Sequence, residues 1–597
     1  MRPDRKEHRP PHPEPQPRTP AGTGRRPRIP AQYPHHTHRR DGGPRRRRPV
    51  PKESPVSRRS ADLAVLGATV HTLDADRPRA TAVALRGGTI VAVGDDAEVR
   101  AMCDARTRIV DGTGTVVTPG LTDGHIHPVT GMMMTQGVDL SGCRTPGQLR
   151  AALAEERLSG GGRARDGWLL GFGLDPNALG GSAPHRRLID DVLDGAPALL
   201  TLFDGHAALA STRALELAGV TGPVGFPDST AQVVCDPDGH PTGELREEPA
   251  KSLVERAVPE PDADELAAGL RTLMARMNAT GLTGGHAMDL RDGGLPALRA
   301  LEEQDAVTMR LRFAPWCQPG TGEEGLRELV ALQGTGGRLW KVDGVKLFMD
   351  GTIDNGTAWL HEPDCHGEST RPFWLPPEKY ARAVRALAGA GVPTATHAIG
   401  DAAVSYALDQ LAPLGATPSG ARHRIEHIET APDELIRKFA ASGVAASMQP
   451  SHAQYTLADH SDNWSTRLGD ERADRAFRCG DLLRAGALLV LGSDWPIAHF
   501  DAREVLASAR LRRPPHEPGR VPVRPEQALG AAEALHAMTV APAQVAGEGD
   551  RAGRVRVGHR ADLTVFAADP LTVPATELAD ILVRMTVVDG RVVHEAG

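Results

Sequence analysis

Two histidines stand one residue apart, His125 and His127, in the run DGHIH at 123–127. If that run ends a β-strand, residues i and i+2 share a face, so both imidazoles can aim at one ion. Three further stretches end in residues able to hold a metal or move a proton. They are His397 in THAIGD at 396–401, His427 in RIEHIE at 424–429, and Asp494 in GSDWP at 492–496. Any one of these histidines alone reads as readily as a satisfied structural residue. Four histidines and an aspartate at the ends of successive strands are hard to assign to packing. Neutral imidazoles suit Zn2+ and similar divalent metals, and a carboxylate can ligate or accept a proton. The chemistry this set can do is metal-assisted hydrolysis.

Lys346 is the sixth candidate, in DGVKLFMDG at 343–351. The chain has 7 Lys against 62 Arg, so a lysine inside an apolar strand stands out. Burial lowers an amine's pKa. A neutral amine can take up carbon dioxide as a carbamate, whose two oxygens could bridge two metals. An ion pair with Asp343 or Asp350 is the plain alternative, and spacing alone weighs the two equally.

For these residues to meet, parallel strands must carry them. Between 115 and 545, short buried β-rich runs alternate with helical stretches. Eight runs end in polar residues: 115–122, 281–286, 309–315, 342–348, 393–397, 423–427, 444–448 and 488–493. Eight such units predict an α/β fold, a (β/α)8 TIM-like barrel with its chemistry at the C-terminal strand ends. The gap after the first run is too long for one crossover helix. A large insertion after strand 1, over about 130–270, is therefore expected, with strand-like pieces at 168–171 and 198–203. Segments 61–114 and 546–597 are β-rich, with a turn at Asp589-Gly590, and predict one small β-sandwich built from both termini.

The formal charge of −7 is the sum of two unlike parts. Residues 1–60 hold 17 Lys+Arg against 5 Asp+Glu, a net +12, which leaves −19 on the remainder. The first 60 residues are Pro- and Arg-rich with almost no aliphatic side chains, so they predict a disordered basic tail. An acidic body argues against a nucleic-acid binder, and only the tail could act as such a tether. No run reaches the roughly 18 apolar residues of a membrane helix. SRRS at 57–60 faintly resembles a twin-arginine signal, but Asp62 interrupts the short apolar stretch beyond it and that stretch has no small-residue cleavage site. Six scattered Cys without a CxxC fit a reducing compartment, so a cytoplasmic setting is expected.

Taken together the motifs resemble the amidohydrolase superfamily, and more fully its amidohydrolase family 3 group, which includes N-substituted formamide deformylases. The stretches that carry the resemblance are PGLTDGHIHP at 119–128, PTGELRE at 241–247, VKLFMDGTIDNG at 345–356, SMQPSH at 447–452 and GHRADL at 558–563, together with the histidine and Asp494 runs above. The resemblance covers the chain from about 61 onward. It implies metal ligands His125, His127, Lys346, His397, His427 and Asp494, with Asp494 as catalytic base and acid. It also implies one or two Zn2+ ions, or another divalent metal, with a carbamate on Lys346 in the two-ion form. One departure stands out. Where the family shows H-s-a-w-v-N-S, this chain has HAALAST at 206–212, with Leu209 and Ser211 in place of Trp and Asn, which points to a shifted specificity.

The expected function is metal-dependent hydrolysis of a non-peptide, amide-type C–N bond in a small-molecule substrate. His206, His286 and His452 are candidates for substrate binding. An amino-heterocycle deaminase would use the same constellation, and a relative that has lost its metal is a non-catalytic alternative. No membrane partner is expected, and a homodimer stays open.

Overall fold

The computed structural model describes residues 60–159, 166–227, 229–291 and 293–596. All but the last residue of the basic segment read over 1–60 lies outside the described residues.

Eight parallel strands run through the middle of the chain: β1 (Leu121–Ile126), β2 (Leu282–Ala287), β3 (Arg310–Phe313), β4 (Val345–Phe348), β5 (Thr394–Ala398), β6 (Arg424–His427), β7 (Ala445–Met448) and β8 (Leu489–Leu491). One arc pairs β1 with β2 and β2 with β3. The other runs from β4 through β5, β6 and β7 to β8. The arcs join at both edges, where Trp316 bridges Lys346 and Ile126 bridges Trp495, both in parallel sense. The ring is a TIM-like barrel. Strands β2, β5, β6, β7 and β8 are buried at every position, as parallel strands covered on both faces are.

The helices show why the local sequence folds as it does. Ala263–Ala279 begins at Asp262, whose carboxylate accepts from the amides of Asp264 and Glu265, while Glu265 reaches back to close a capping box. Its buried residues Leu266, Leu270, Leu273, Met274 and Met277 fall at helical spacing on the face turned to the barrel core.

Two strands differ from the sequence expectation. The run 115–122 is two elements, not one. Val116–Pro119 pairs with Thr69–His71 and Leu563–Phe566 in a separate sheet, and β1 begins at Leu121. The break is Gly120, where a Cβ would lie 2.3 Å from Thr283 Oγ1. Both halves are buried, so apolar content cannot reveal the handover. The run 342–348 is likewise split. Trp340–Val342 lies beside β3 and β4 lies beside β5, with Gly344 at φ +133° between them.

Strands from both ends of the chain form two more sheets. One has the order Arg591–Glu595, Val583–Val588, Leu563–Phe566, Val116–Pro119, Thr69–His71, Arg79–Ala80. The other has the order Thr89–Gly94, Ala82–Arg86, Leu63–Leu66, Arg108–Asp111. They share an apolar core that includes Val65, Leu85, Val117, Leu563 and Val587. Between β1 and β2 the chain builds a further six-stranded sheet, in the order Gln232–Cys235, Pro241–Arg246, Ala207–Ala210, Ala198–Leu202, Leu169–Leu174, Val138–Asp139. The turn between its strands Ala198–Leu202 and Ala207–Ala210 returns Asp204 and His206 to the C-terminal mouth of the barrel. No helix among the described residues is long and apolar enough to cross a membrane.

Candidate active site

The C-terminal ends of the barrel strands deliver the ionisable groups. His125 lies within β1 and His127 caps the helix Pro128–Met134. Lys346 is on β4, His397 on β5 and His427 ends β6, while Asp494 follows β8. In a regular strand, neighbours face opposite sides. Glu426 and His427 nonetheless both face inward, because His427 sits at φ +75°. Asp494 sits at φ +60°. Such backbone costs of order 1–3 kcal/mol per residue, and it persists here where two side chains must be aimed.

Three atoms converge. His125 Nε2 lies 3.3 Å from His127 Nε2. Asp494 Oδ1 is 3.2 Å from the first and 3.1 Å from the second. Ligands about 2.1 Å from a tetrahedral ion stand about 3.4 Å apart, so this spacing fits a zinc-sized cation. His427 completes the group. Its Nδ1 is buried without a hydrogen-bond partner, 3.8 Å from Asp494 Oδ2, and His125, His427 and Asp494 each offer a donor atom within 4.8 Å of the others.

The charges around the group suit that role. Burial alone would raise the Glu426 carboxyl, but the Arg424 guanidinium and His125 outweigh it and hold it well below the usual carboxylate range. Glu426 Oε2 lies 2.6 Å from His125 Nδ1 and its other oxygen accepts from Arg424 Nε at 2.5 Å. An ionised Glu426 accepts a hydrogen bond from the Nδ1–H of His125 and leaves the Nε2 lone pair turned inward. Burial, reinforced by the Lys346 charge, keeps His125 neutral. Burial also holds His427 and His397 well below the ordinary histidine value, with His397 acting on the first and His206 on the second. Burial would raise Asp494 as well, yet His125, His127 and His427 draw it well below the carboxylate range, so it is ionised at neutral pH.

Lys346 is 1% exposed, with Nζ 3.3 Å from His125 Nε2 and 5.1 Å from the centre of the Phe348 ring. Burial pulls its amine down to about 8. The plain alternative of an ion pair with Asp343 or Asp350 is not formed. Asp343 pairs with Arg312 and Lys341, and Asp350 accepts the backbone amides of Trp359, Ile399 and Gly400.

The other candidates divide. His397 packs against His427 with ring centres 4.5 Å apart and planes tilted by 59°, but its Nε2–H donates to the carbonyl of Gly351, so it stands beside the converging atoms without joining them. His206 comes within 4.8 Å of the His397 ring. His452 is buried, with Nε2 3.6 Å from Asp494 Oδ2. His286 is not brought to the site. It lies below it in the barrel, with Nδ1 2.8 Å from Arg424 Nη1, because β2 turns that side chain toward the barrel floor.

A cleft opens above the converging atoms, walled by Met134, Trp316, Phe348, Phe373 and Ile497. The cleft is also lined by a half-buried, charge-balanced set in which Lys251 and Arg291 face Glu248 and Glu255. Several residues here escape sequence reasoning. Glu247 Oε2 lies 2.9 Å from His206 Nδ1, so it holds that ring much as Glu426 holds His125. Asp289, buried after β2, accepts from the amide of Thr130 and lies 4.0 Å from His127 Nδ1. The one usable signal was Arg424 and Glu426 at i and i+2, which share a strand face and so point together into the barrel.

Comparison with known proteins gives the chain's family. A family model described as Amidohydrolase family matches residues 108–594. The protein LONG AFTER FAR-RED 3 of Arabidopsis thaliana is 30% identical over 535 residues, covering 85% of this chain and 88% of the relative. The N-substituted formamide deformylase of Arthrobacter pascens is 26% identical, covering 89% of this chain and 98% of the relative. Among solved structures, an uncharacterized metal-dependent hydrolase from Pyrococcus furiosus superposes with a TM-score of 0.64 at 25% identity, covering 85% of this chain and all of that one.

Proposed function

Because the chain belongs to the amidohydrolase family, we propose that it is a metal-dependent hydrolase that cleaves a non-peptide, amide-type C–N bond of a small molecule. The observation that carries this reading is the convergence of His125 Nε2, His127 Nε2 and Asp494 Oδ1 within 3.3 Å of one another at the mouth of the barrel. His125, His127, His427 and Asp494 would hold the ion. A Zn2+ or similar divalent cation there supplies Lewis acidity, acidifying water and polarising a carbonyl.

The chain's own groups supply the rest. Asp494, ionised and at the centre of the group, accepts the proton of the attacking water and returns it to the leaving amine. Glu426 keeps His125 in one tautomer, and Arg424 keeps Glu426 charged. His206, fixed through Nδ1 by Glu247, presents its other nitrogen beside the cleft, where it can orient a carbonyl. Trp316, Phe348 and Phe373 offer apolar surface to the substrate and exclude water around the reacting bond.

One compact donor set, with His397 turned to Gly351, favours a single ion. The two-ion form requires the Lys346 amine to lose a proton and take up carbon dioxide. An amine drawn down to about 8 is poised for that reaction. The barrel with its insertion, and the paired sheets from both termini, would then form an enzyme body of two parts. Six cysteines without a disulfide fit a cytoplasmic setting.

The test is a screen of N-substituted formamides, acylated amino compounds and cyclic amides on metal-loaded protein, reading released amine and ammonia. His127→Ala should abolish metal-dependent turnover and leave the fold intact. Asp494→Asn should retain metal and lose hydrolysis by about 100-fold or more. A wild-type rate in Asp494→Asn removes the base assignment. Amine release that is indifferent to chelation removes the metal-dependent reading.

A further inference from the structure

At the end of the barrel opposite the candidate site, a cavity opens where the strands begin. Its wall takes Thr122 from the start of β1, Thr283 and Gly284 from the start of β2 and Arg310 from the first position of β3. Arg312 of β3 and Lys341 of the strand Trp340–Val342 line it from one side, and Glu548 and Arg560 of the C-terminal segment line it from the other. Arg312, Arg551 and Arg560 all pair with Glu548, at 2.9, 2.8 and 2.7 Å, and Lys341 Nζ stands 3.7 Å from it. The second carboxylate here, Asp343, is shared by Arg312 and by Lys341 at 3.0 Å. Four cations thus meet two carboxylates, an excess of two positive charges. The adjoining set is matched, since Arg310, Arg338 and Arg591 pair with Asp305, Asp562 and Asp589. Arg312, Lys341 and Arg560 are half-buried and Glu548 is buried, so water and salt screen the excess only in part. Burial, reinforced by the Arg312 charge, draws the Lys341 amine down to about 8.

A second, independent observation is an unspent donor. His286 is 7% exposed and forms part of the same wall. A guanidinium only donates, so the 2.8 Å contact with Arg424 Nη1 makes His286 Nδ1 an acceptor and leaves the ring proton on Nε2. Among the described residues that Nε2–H makes no hydrogen bond. Cations in excess beside a free N–H suit an anion, whose charge offsets the cost of holding like charges together away from water.

We propose that the floor of the barrel binds a phosphate-type oxyanion, with Lys341 and Arg312 supplying charge and the His286 Nε2–H a directed donor. Two negative charges match the excess, which favours a dianion over a halide. The site lies at the far end of the strands from Asp494, so its ligand is not the substrate, and the proposal does not rest on the hydrolase reading.

The experiment is calorimetric titration of the metal-loaded full chain with inorganic phosphate at low salt, in wild type, Lys341→Gln and Asp343→Asn. Phosphate can also ligate a metal at the barrel mouth, and the variants separate the two locations, because neither residue lines the cleft there. Lys341→Gln removes a floor cation and should weaken binding at the floor about fivefold or more. Asp343→Asn removes a floor carboxylate and should tighten it about threefold or more. Glycerol 3-phosphate is the second probe. Where it binds as tightly as phosphate with the same response to the variants, it supports the site with an organic phosphate as ligand, and weaker binding supports the site with the free ion. No measurable phosphate binding, or one affinity shared by wild type and both variants, overturns the proposal. Should one variant fail to fold, the other decides it, since the two expected shifts have opposite signs.

Discussion

The smallest unit that matters in this protein is a residue together with the partner that fixes it. His125 is useful only in one tautomer, and a 2.6 Å contact with Glu426 selects it. Glu426→Gln keeps the shape and removes the charge. It should weaken metal affinity by about 10–100-fold while the folded protein persists, as chelator competition alongside thermal melting would show. His423 illustrates the same dependence with no metal in view. Its Nδ1 accepts from the amide and hydroxyl of Thr394, and burial draws its pKa from the ordinary value of 6.5 to about 4. A histidine depressed by folding takes up its proton more readily when unfolded. Its contribution is therefore complete above pH 6.5 and is lost as pH falls through about 4. Between those limits wild type should lose on the order of 3 kcal/mol more stability than His423→Gln, read from denaturant midpoints at pH 7 and pH 4.

At the scale of elements, close approach of β8 to β1 sets the site. A Cβ on Gly492 would lie 2.4 Å from the backbone nitrogen of His125 and 2.8 Å from Asp123 Oδ1. Neither can move away, because Asp123 is itself bound by the hydroxyl of Ser493. Gly492→Ala should therefore cost about 1–3 kcal/mol and lower metal occupancy in the protein that does fold, measured by melting and by metal analysis of the purified fraction. Elements also explain what could be read in advance. The eight strands and the residues at their ends were legible because buried parallel strands leave runs of apolar residues that stop at polar ones. The break at Gly120 was not, since two buried strands in different sheets share that texture. His286 misled for a related reason. A histidine at a strand end carries no mark of which way β2 turns it, and here it faces Arg424. Glu247 lies just past the strand Pro241–Arg246, 41 residues from the histidine it holds, so only the fold connects the two.

At the scale of the whole molecule, the strands of the C-terminal segment are fastened to the barrel beneath the site. Thr564 Oγ1 donates to the carbonyl of Gly281 at 2.7 Å, just ahead of β2, and Thr586 Oγ1 donates to the carbonyl of Asn278 at 2.7 Å. Arg310 of β3 reaches Asp562 and Asp589. Thr564→Val preserves the volume and strands a buried carbonyl, so it should cost about 1–2 kcal/mol, visible as a lower melting temperature with turnover per folded molecule unchanged. The handover at Gly120 has a further consequence, one of timing during synthesis. The strand before it, Val116–Pro119, takes Leu563–Phe566 as a neighbour, and β1 with its two histidines comes directly after on the same backbone. A ribosome releases residue 119 more than 400 residues before that neighbour exists. The first two residues of the candidate site to be translated thus wait for nearly the last strands, and a nascent chain stopped short of residue 563 carries those histidines without the frame that holds them.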